Sequence, residues 1–325
     1  MHNNGLNAKI ATMLLLAAAF ICARVPNALA DGGDGDNLGH ALGFSLLSLA
    51  DDGVIDLGVG NSGKVTSPSC FFSGGIGAGS DILLGNNGSY SGDAVSLNGN
   101  IIVNNYTKMA GQCVTNYPIF NGVVILNTGA SCGNADETGF NLLLVKLLKA
   151  ATDGNLFYCD VEFGYPTQWA GAVDVGASKK FTIADANPGC LNFIDVTSMT
   201  LGNSSTLTLS GGADDTVVLR VDGALRLGSG AKIVLASGLT PADVVIVDEG
   251  GITSWGSSTT VNGTILSAGT CTIGSGVTIN GAVLCGENFT VGANARVSSL
   301  PAFAVSVPSA CYLDPSNSPA PITSQ

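Results

Sequence analysis

The chain has 325 residues, with 12 basic and 24 acidic side chains and a formal net charge of −12. That balance argues against nucleic acid and anionic membranes as partners, because both are recognised through basic patches. Its 46% hydrophobic content is strongly patterned, which excludes a disordered chain.

Residues 1–30 read as a secretory signal peptide. Lys9 closes a short polar region, Ile10 to Ala23 is apolar but shorter than a bilayer span, and Ala28-Leu29-Ala30 offers small residues for cleavage before Asp31. A retained anchor is the competing reading. Phe20 and Ile21 ahead of Cys22 disfavour lipid attachment. Cleavage leaves 295 residues and, without Lys9 and Arg24, a net charge of −14; the mature chain has no transmembrane segment. The protein is therefore expected to be secreted. Residues 31–37, DGGDGDN, form a flexible leader that fits a solvated terminus better than a calcium loop.

Residues 38–134 alternate short apolar runs with glycine turns, as in VIDLGVG, DILLGNNGSYSG, AVSLNGNIIV and GVVILNTG, and predict irregular β coils or a cap. Residues 135–155 break that pattern. They open with acids, close with Lys146 and Lys149 before Gly154-Asn155, and carry a stripe of Leu143, Leu144, Leu147 and Leu148. This predicts one helix packed against the strands.

Residues 156–300 predict regular coils. An apolar-Gly-small unit, followed six positions on by a second apolar residue, starts at Leu201, Leu227, Trp255, Ile273 and Val291. Its glycines (Gly202, Gly228, Gly256, Gly274 and Gly292) are 26, 28, 18 and 18 apart. Eighteen residues divide into three short strands, one turn of a triangular β-solenoid whose core exists only when coils stack. Glycine at each corner is expected to supply freedom for the bend. Residues 301–325 predict a C-terminal cap and a polar tail. Solenoid ends expose unpaired strands, so the N-terminal region and the tail around Cys311 are candidate caps, and end-to-end self-association is the alternative.

With Leu207, Ile233, Val261, Ile279 and Val297 pointing inward, strand alternation places Thr206, Lys232, Thr260, Thr278 and Arg296 in one outward column. Thr208, Val234, Asn262, Asn280 and Ser298 form its neighbour. A third column is Thr200, Arg226, Ser254, Thr272 and Thr290. Cys271 points inward beside Phe289. Eight cysteines remain after cleavage: Cys70, Cys113, Cys132, Cys159, Cys190, Cys271, Cys285 and Cys311. They are candidates for up to four disulfides. No C-x-x-C pair occurs and His40 is the one mature histidine, so neither a metal site nor a cofactor is expected.

The segments LTLSGGADDTVVLRVDGALRLGSGAKIVL and STTVNGTILSAGTCTIGSGVTINGAVL resemble the ice-binding-like family of secreted β-solenoids. LTLSGGADDTVVLRVDGAL and VNGTILSAGTCTI are also similar to the choice-of-anchor A domain of bacterial surface adhesins. The first resemblance implies a right-handed solenoid with a helix alongside, and ice binding through a flat face of small and Thr side chains. Lys232, Arg296 and Arg226 interrupt the Thr columns, and the polar ending CYLDPSNSPAPITSQ lacks the anchor usual in the adhesins.

The candidate binding face is Thr200, Thr206, Thr260, Thr272, Thr278 and Thr290; Thr is equally an ordinary strand former. Asp214, Asp215, Asp222, Asp243, Asp248 and Glu249 are the carboxylates a polysaccharide-acting β-helix enzyme would need, but most lie beside turn residues. Sequons begin at Asn87, Asn105, Asn203, Asn262 and Asn288. The leading expectation is thus a secreted, non-catalytic, mainly β solenoid serving extracellular binding, adhesion or surface structure. Ice binding is the first alternative and polysaccharide chemistry the second. The candidate ligands are an extracellular surface, a polysaccharide or ice.

Overall fold

A computed structural model describes residues 44–48, 55–57, 71–72, 74–97, 99–115, 123–133, 168–184, 191–236, 238–250, 252–298 and 320–321. The expected signal peptide, the helix over 135–155, and Cys70, Cys159, Cys190 and Cys311 lie outside them. Among the described residues the one helical element is a single 3-10 turn, Pro241–Asp243. All other regular structure is strand, and every pairing is parallel, which is a β-solenoid of three strands per coil.

One coil shows the plan. Thr264–Ser267 lies on face A, Thr270–Ile273 on face B and Thr278–Asn280 on face C; the chain then returns to face A with Val283–Cys285. Each strand pairs with its equivalent one coil on. Cys271 stands beside Phe289, Thr272 beside Thr290 and Ile273 beside Val291, an offset of 18. The longer glycine intervals keep register too: Thr200 stands beside Arg226, and Arg226 beside Ser254. The inserted residues therefore bulge between faces and leave the ladders intact.

Stacking order departs from chain order. Face B is a ten-stranded sheet. It runs from Val173–Val175 through Phe289–Val291 in sequence order, then continues with Ile55–Leu57, Ile82–Leu84, Ile101–Val103 and Val124–Leu126. The join is made on all three faces: Leu46 beside Val283, Asp56 beside Thr290, and Phe71 beside Arg296. The N-terminal segment thus docks on the coil that ends at Ser298. Its coils are nearly regular, with Ile76 beside Ala94 and Ile82 beside Ile101. At the opposite end of the stack, Ala320–Pro321 pairs outside Gln168–Ala170.

Inside, the repeat supplies continuous apolar columns. Leu207, Ile233, Val261, Ile279 and Val297 line face C, and Leu201, Leu227, Trp255, Ile273 and Val291 line face B, all buried. Each side chain contributes about 1.5–3 kcal/mol by leaving water. Of two disulfides, Cys113–Cys132 joins neighbouring paired strands and Cys271–Cys285 joins face B to face A. Cys271 lies in the core column above Phe289, as the alternation predicts.

The corner glycines have a different cause from the one expected. Positive φ falls two residues after each glycine, at Ser178, Ser204, Gly230, Ser258, Gly276 and Asn294. Gly202 itself is crowded: a Cβ there would lie 2.6 Å from the Ala177 amide nitrogen of the neighbouring coil. At Gly274 it would lie 2.6 Å from the Trp255 carbonyl oxygen, and at Gly292 2.6 Å from the Ser275 nitrogen. The residue is glycine because successive backbones nearly touch. The close approach carries short inter-coil bonds, Gly202 N–H to Val175 O at 2.7 Å and Gly256 N–H to Leu227 O at 2.6 Å. Gly176, in the end coil, meets only the Lys179 side chain, at 3.7 Å. Gly274→Ala should therefore destabilise the protein by about 1–3 kcal/mol in denaturant unfolding. Gly176→Ala should change stability by less than about 0.5 kcal/mol; equal losses would refute the crowding account.

Candidate functional site

The three faces differ in what they offer. On face A the outward positions Phe193, Val218, Val245, Val247, Leu266 and Leu284 are buried although they lie outside the solenoid's core cluster. This face presents no open lattice of side chains. It holds instead a buried ion pair. Arg220 donates from Nη2 to Asp195 Oδ2 at 2.5 Å and from Nε to Asp195 Oδ1 at 3.2 Å. Its guanidinium lies 5.2 Å from the Phe193 ring centroid. Asp222 and Glu249 stand near Arg220 Nε, at 3.5 and 3.6 Å. Burial by itself would lower the Arg220 pKa, but the hydrogen bond and charge of Asp195, with Glu249 and Asp222, hold it above its usual value. Burial pushes the Asp222 carboxyl up, Asp195 adds to that, and Arg220 opposes it.

Face C carries the column Lys180, Thr206, Lys232, Thr260, Thr278 and Arg296, and beyond Phe71 it continues with Ser89 and Lys108. The Thr residues of this column are half-buried and the cations exposed. In the neighbouring column Asn280 Nδ2 donates to Asn262 Oδ1 at 2.7 Å, and Asn262 Nδ2 to Ile233 O at 2.8 Å. Those amides are used in holding coil to coil.

Face B is narrow, with one central outward residue per coil. Its column is Asp174, Thr200, Arg226, Ser254, Thr272 and Thr290, then Asp56 by register, Leu83, Ile102 and Ile125. Thr200, Ser254, Thr272 and Thr290 are exposed. Beside them runs a ladder of small corner residues, Asn203, Ser229, Ser257, Ser275 and Ala293. Their carbonyls accept from the preceding coil's corner amide, as in Ser258 N–H to Ser275 O at 2.8 Å. Ser254, Thr272 and Thr290 with Ser257, Ser275 and Ala293 therefore make an uncharged two-column grid.

The six Thr residues that alternation singles out are thus divided between two faces. Thr206, Thr260 and Thr278 lie on face C, and Thr200, Thr272 and Thr290 on face B. The corner ladder and the outward Leu83, Ile102 and Ile125 were missed in the sequence. The ladder was readable as the third residue of every corner unit, directly after the glycine.

The acidic candidates are engaged in turns and pairs. Asp215 accepts from the Gly212 amide, and Asp243 accepts from Thr240 N–H at 2.7 Å and Thr240 Oγ1 at 2.6 Å. Asp248 accepts from Ser267 Oγ at 3.2 Å, Asp222 and Glu249 face Arg220, and Asp214 is exposed in a turn. Among the described residues no group of three His, Cys, Asp or Glu side chains is placed to hold a metal ion.

Residues 91–296 match the family model described as ice-binding-like. The chain belongs to that family. An ice-binding protein domain of Shewanella frigidimarina is 14% identical, with 81% of this chain and 96% of that one covered at a TM-score of 0.50. An ice-binding protein of the Antarctic ascomycete Antarctomyces psychrotrophicus is 17% identical, with 81% and 97% covered and a TM-score of 0.48. The ice-binding protein LeIBP of an Arctic yeast is 16% identical, with 82% and 96% covered and a TM-score of 0.46. No curated protein sequence matches the chain.

The family match overturns the leading expectation of adhesion or surface structure and favours ice binding, which stood as the alternative. The expectation counted Lys232, Arg296 and Arg226 together as interruptions of the Thr columns. Lys232 and Arg296 lie on face C, and Arg226 lies to one side of the Ser254–Thr290 run on face B.

The buried pair on face A yields a stability prediction. Arg220→Ala strands Asp195, which is fully buried, and should cost about 3–5 kcal/mol in denaturant unfolding. The double variant Arg220→Met with Asp195→Leu should lose much less. Simple additivity of the two single losses would show that the pair is not coupled.

Proposed function

We propose that the protein is a secreted, non-catalytic ice-binding protein whose ice-contacting surface is face B. The observation that carries this reading is the exposed, uncharged grid of Ser254, Thr272 and Thr290 beside Ser257, Ser275 and Ala293. Membership of the ice-binding-like family supports it. Coil stacking repeats these side chains every ~4.8 Å, a spacing of the same order as the oxygen repeats of ice. Hydroxyls can join a lattice of ordered water while the Thr methyls exclude disordered water. The parallel ladders and the disulfides hold the grid rigid, so little side-chain or backbone freedom is lost on binding.

The uncharged run is longer on face B, where three coils separate Arg226 from Asp56, than on face C, where at most two separate one cation from the next. An ionised side chain keeps a strongly bound hydration shell that an ice surface cannot replace, which sets face C aside with its cations every two or three coils. On face A the outward side chains are buried. The engagement of the acidic residues in turns and ion pairs supports the non-catalytic part. The signal-like N-terminus and the disulfides support secretion.

The purified protein should inhibit ice recrystallisation and shape growing ice crystals. Thr272→Tyr, which raises a ring above the grid, should remove most of that activity. Thr278→Tyr on face C, away from the site, should leave it within about twofold. Wild-type protein that leaves ice growth unchanged, or a Thr278→Tyr loss equal to that of Thr272→Tyr, would refute the assignment.

A further inference from the structure

The cations that disqualify face C as an ice surface are themselves organised. Of the seven Lys and Arg residues among the described positions, Lys108, Lys180, Lys232 and Arg296 occupy a single outward column. Arg220 is consumed in the buried pair, and Lys179 sits at the corner beside Lys180. No carboxylate stands in that column or in the Thr182, Thr208, Val234, Asn262, Asn280 and Ser298 column next to it. An acidic protein has thus collected most of its described exposed positive charge in one line.

The register sets the intervals. Lys180 and Lys232 are two coils apart, Lys232 and Arg296 three, and Arg296 and Lys108 three more. At one strand spacing per coil these are about 10, 14 and 14 Å along a straight axis. Between them stand Thr206, Thr260 and Thr278, then Phe71 and Ser89; the four hydroxyls can donate and accept.

We propose that face C is a second ligand surface, which binds a linear acidic polysaccharide of the polyuronate kind. An extended pyranose chain advances by about one coil spacing per sugar. A cation every two or three coils then meets a carboxylate every two or three sugars, and the intervening hydroxyls meet sugar hydroxyls. The single-file arrangement fits a chain better than a membrane, which engages basic charge spread in two dimensions together with apolar side chains. The acidic remainder of the protein repels the same polymer and so confines it to this face. The inference does not rest on the ice-binding reading, because it concerns a different face and different residues.

Binding of the full mature protein to alginate, to neutral dextran and to anionic phosphatidylglycerol vesicles tests it. Alginate should bind at low salt and weaken steeply as salt rises, while dextran and the vesicles should not bind. The triple variant Lys108→Gln, Lys232→Gln, Arg296→Gln should weaken alginate binding about tenfold, since three exposed charge contacts are lost. Its far-ultraviolet circular dichroism should match that of the wild type. Lys180→Gln alone should give a smaller loss in the same direction. Alginate binding that is absent, indifferent to salt or equal in the triple variant would overturn the proposal, as would vesicle binding that exceeds alginate binding.

Discussion

Everything in this protein hangs on how closely one coil lies on the next. At the corners between faces B and C the backbones approach until a single methyl group would collide, and glycine is the residue that permits it. That approach allows the amide of Gly202 or Gly256 to bond straight to the strand end of the preceding coil. The same contact keeps the parallel ladders of the three faces in step. Because the corners stack, the outward side chains form straight columns, and a straight column is what a repeating ligand can read.

The closing of the stack follows from the same constraint. A parallel edge strand has unpaired groups along its length, and the coil that ends at Ser298 presents three such edges. The coil formed by Phe44–Ser48, Ile55–Leu57 and Phe71–Phe72 meets them with parallel pairing on each face and apolar inward residues such as Leu46 over Val283. The result is one continuous core built from two segments distant in sequence. It also extends face B beyond Thr290 with Leu83, Ile102 and Ile125, and face C beyond Arg296 with Ser89 and Lys108.

A triangular solenoid lets one chain keep incompatible chemistries apart. Hydrophobic side chains and the Arg220–Asp195 pair are buried on face A, small hydroxyl side chains gather on face B, and cations line face C. Neither exposed set needs a pocket or a mobile loop. Each needs only regular spacing on a rigid support, which the ladders provide.

Much of this was legible in the sequence. The apolar-Gly-small unit and its spacing define the coils, the inward columns and the outward columns, because strand alternation and stacking follow directly from period. The inward position of Cys271 beside Phe289 follows from the same parity. The cause of the corner glycines was not legible, since crowding between coils is a distance between backbones that only the stacked structure possesses. Nor was the docking of the N-terminal coils onto Ser298's coil, because pairing between distant edges is set by three-dimensional complementarity and leaves no local period. The charges show the difference most plainly. Their column positions were readable, but whether Lys232 and Arg296 shared a plane with Thr272 depended on which side of a corner each strand lay. Residue order determined the repeat and its columns, and the folding of the coil into three faces decided which columns could act together.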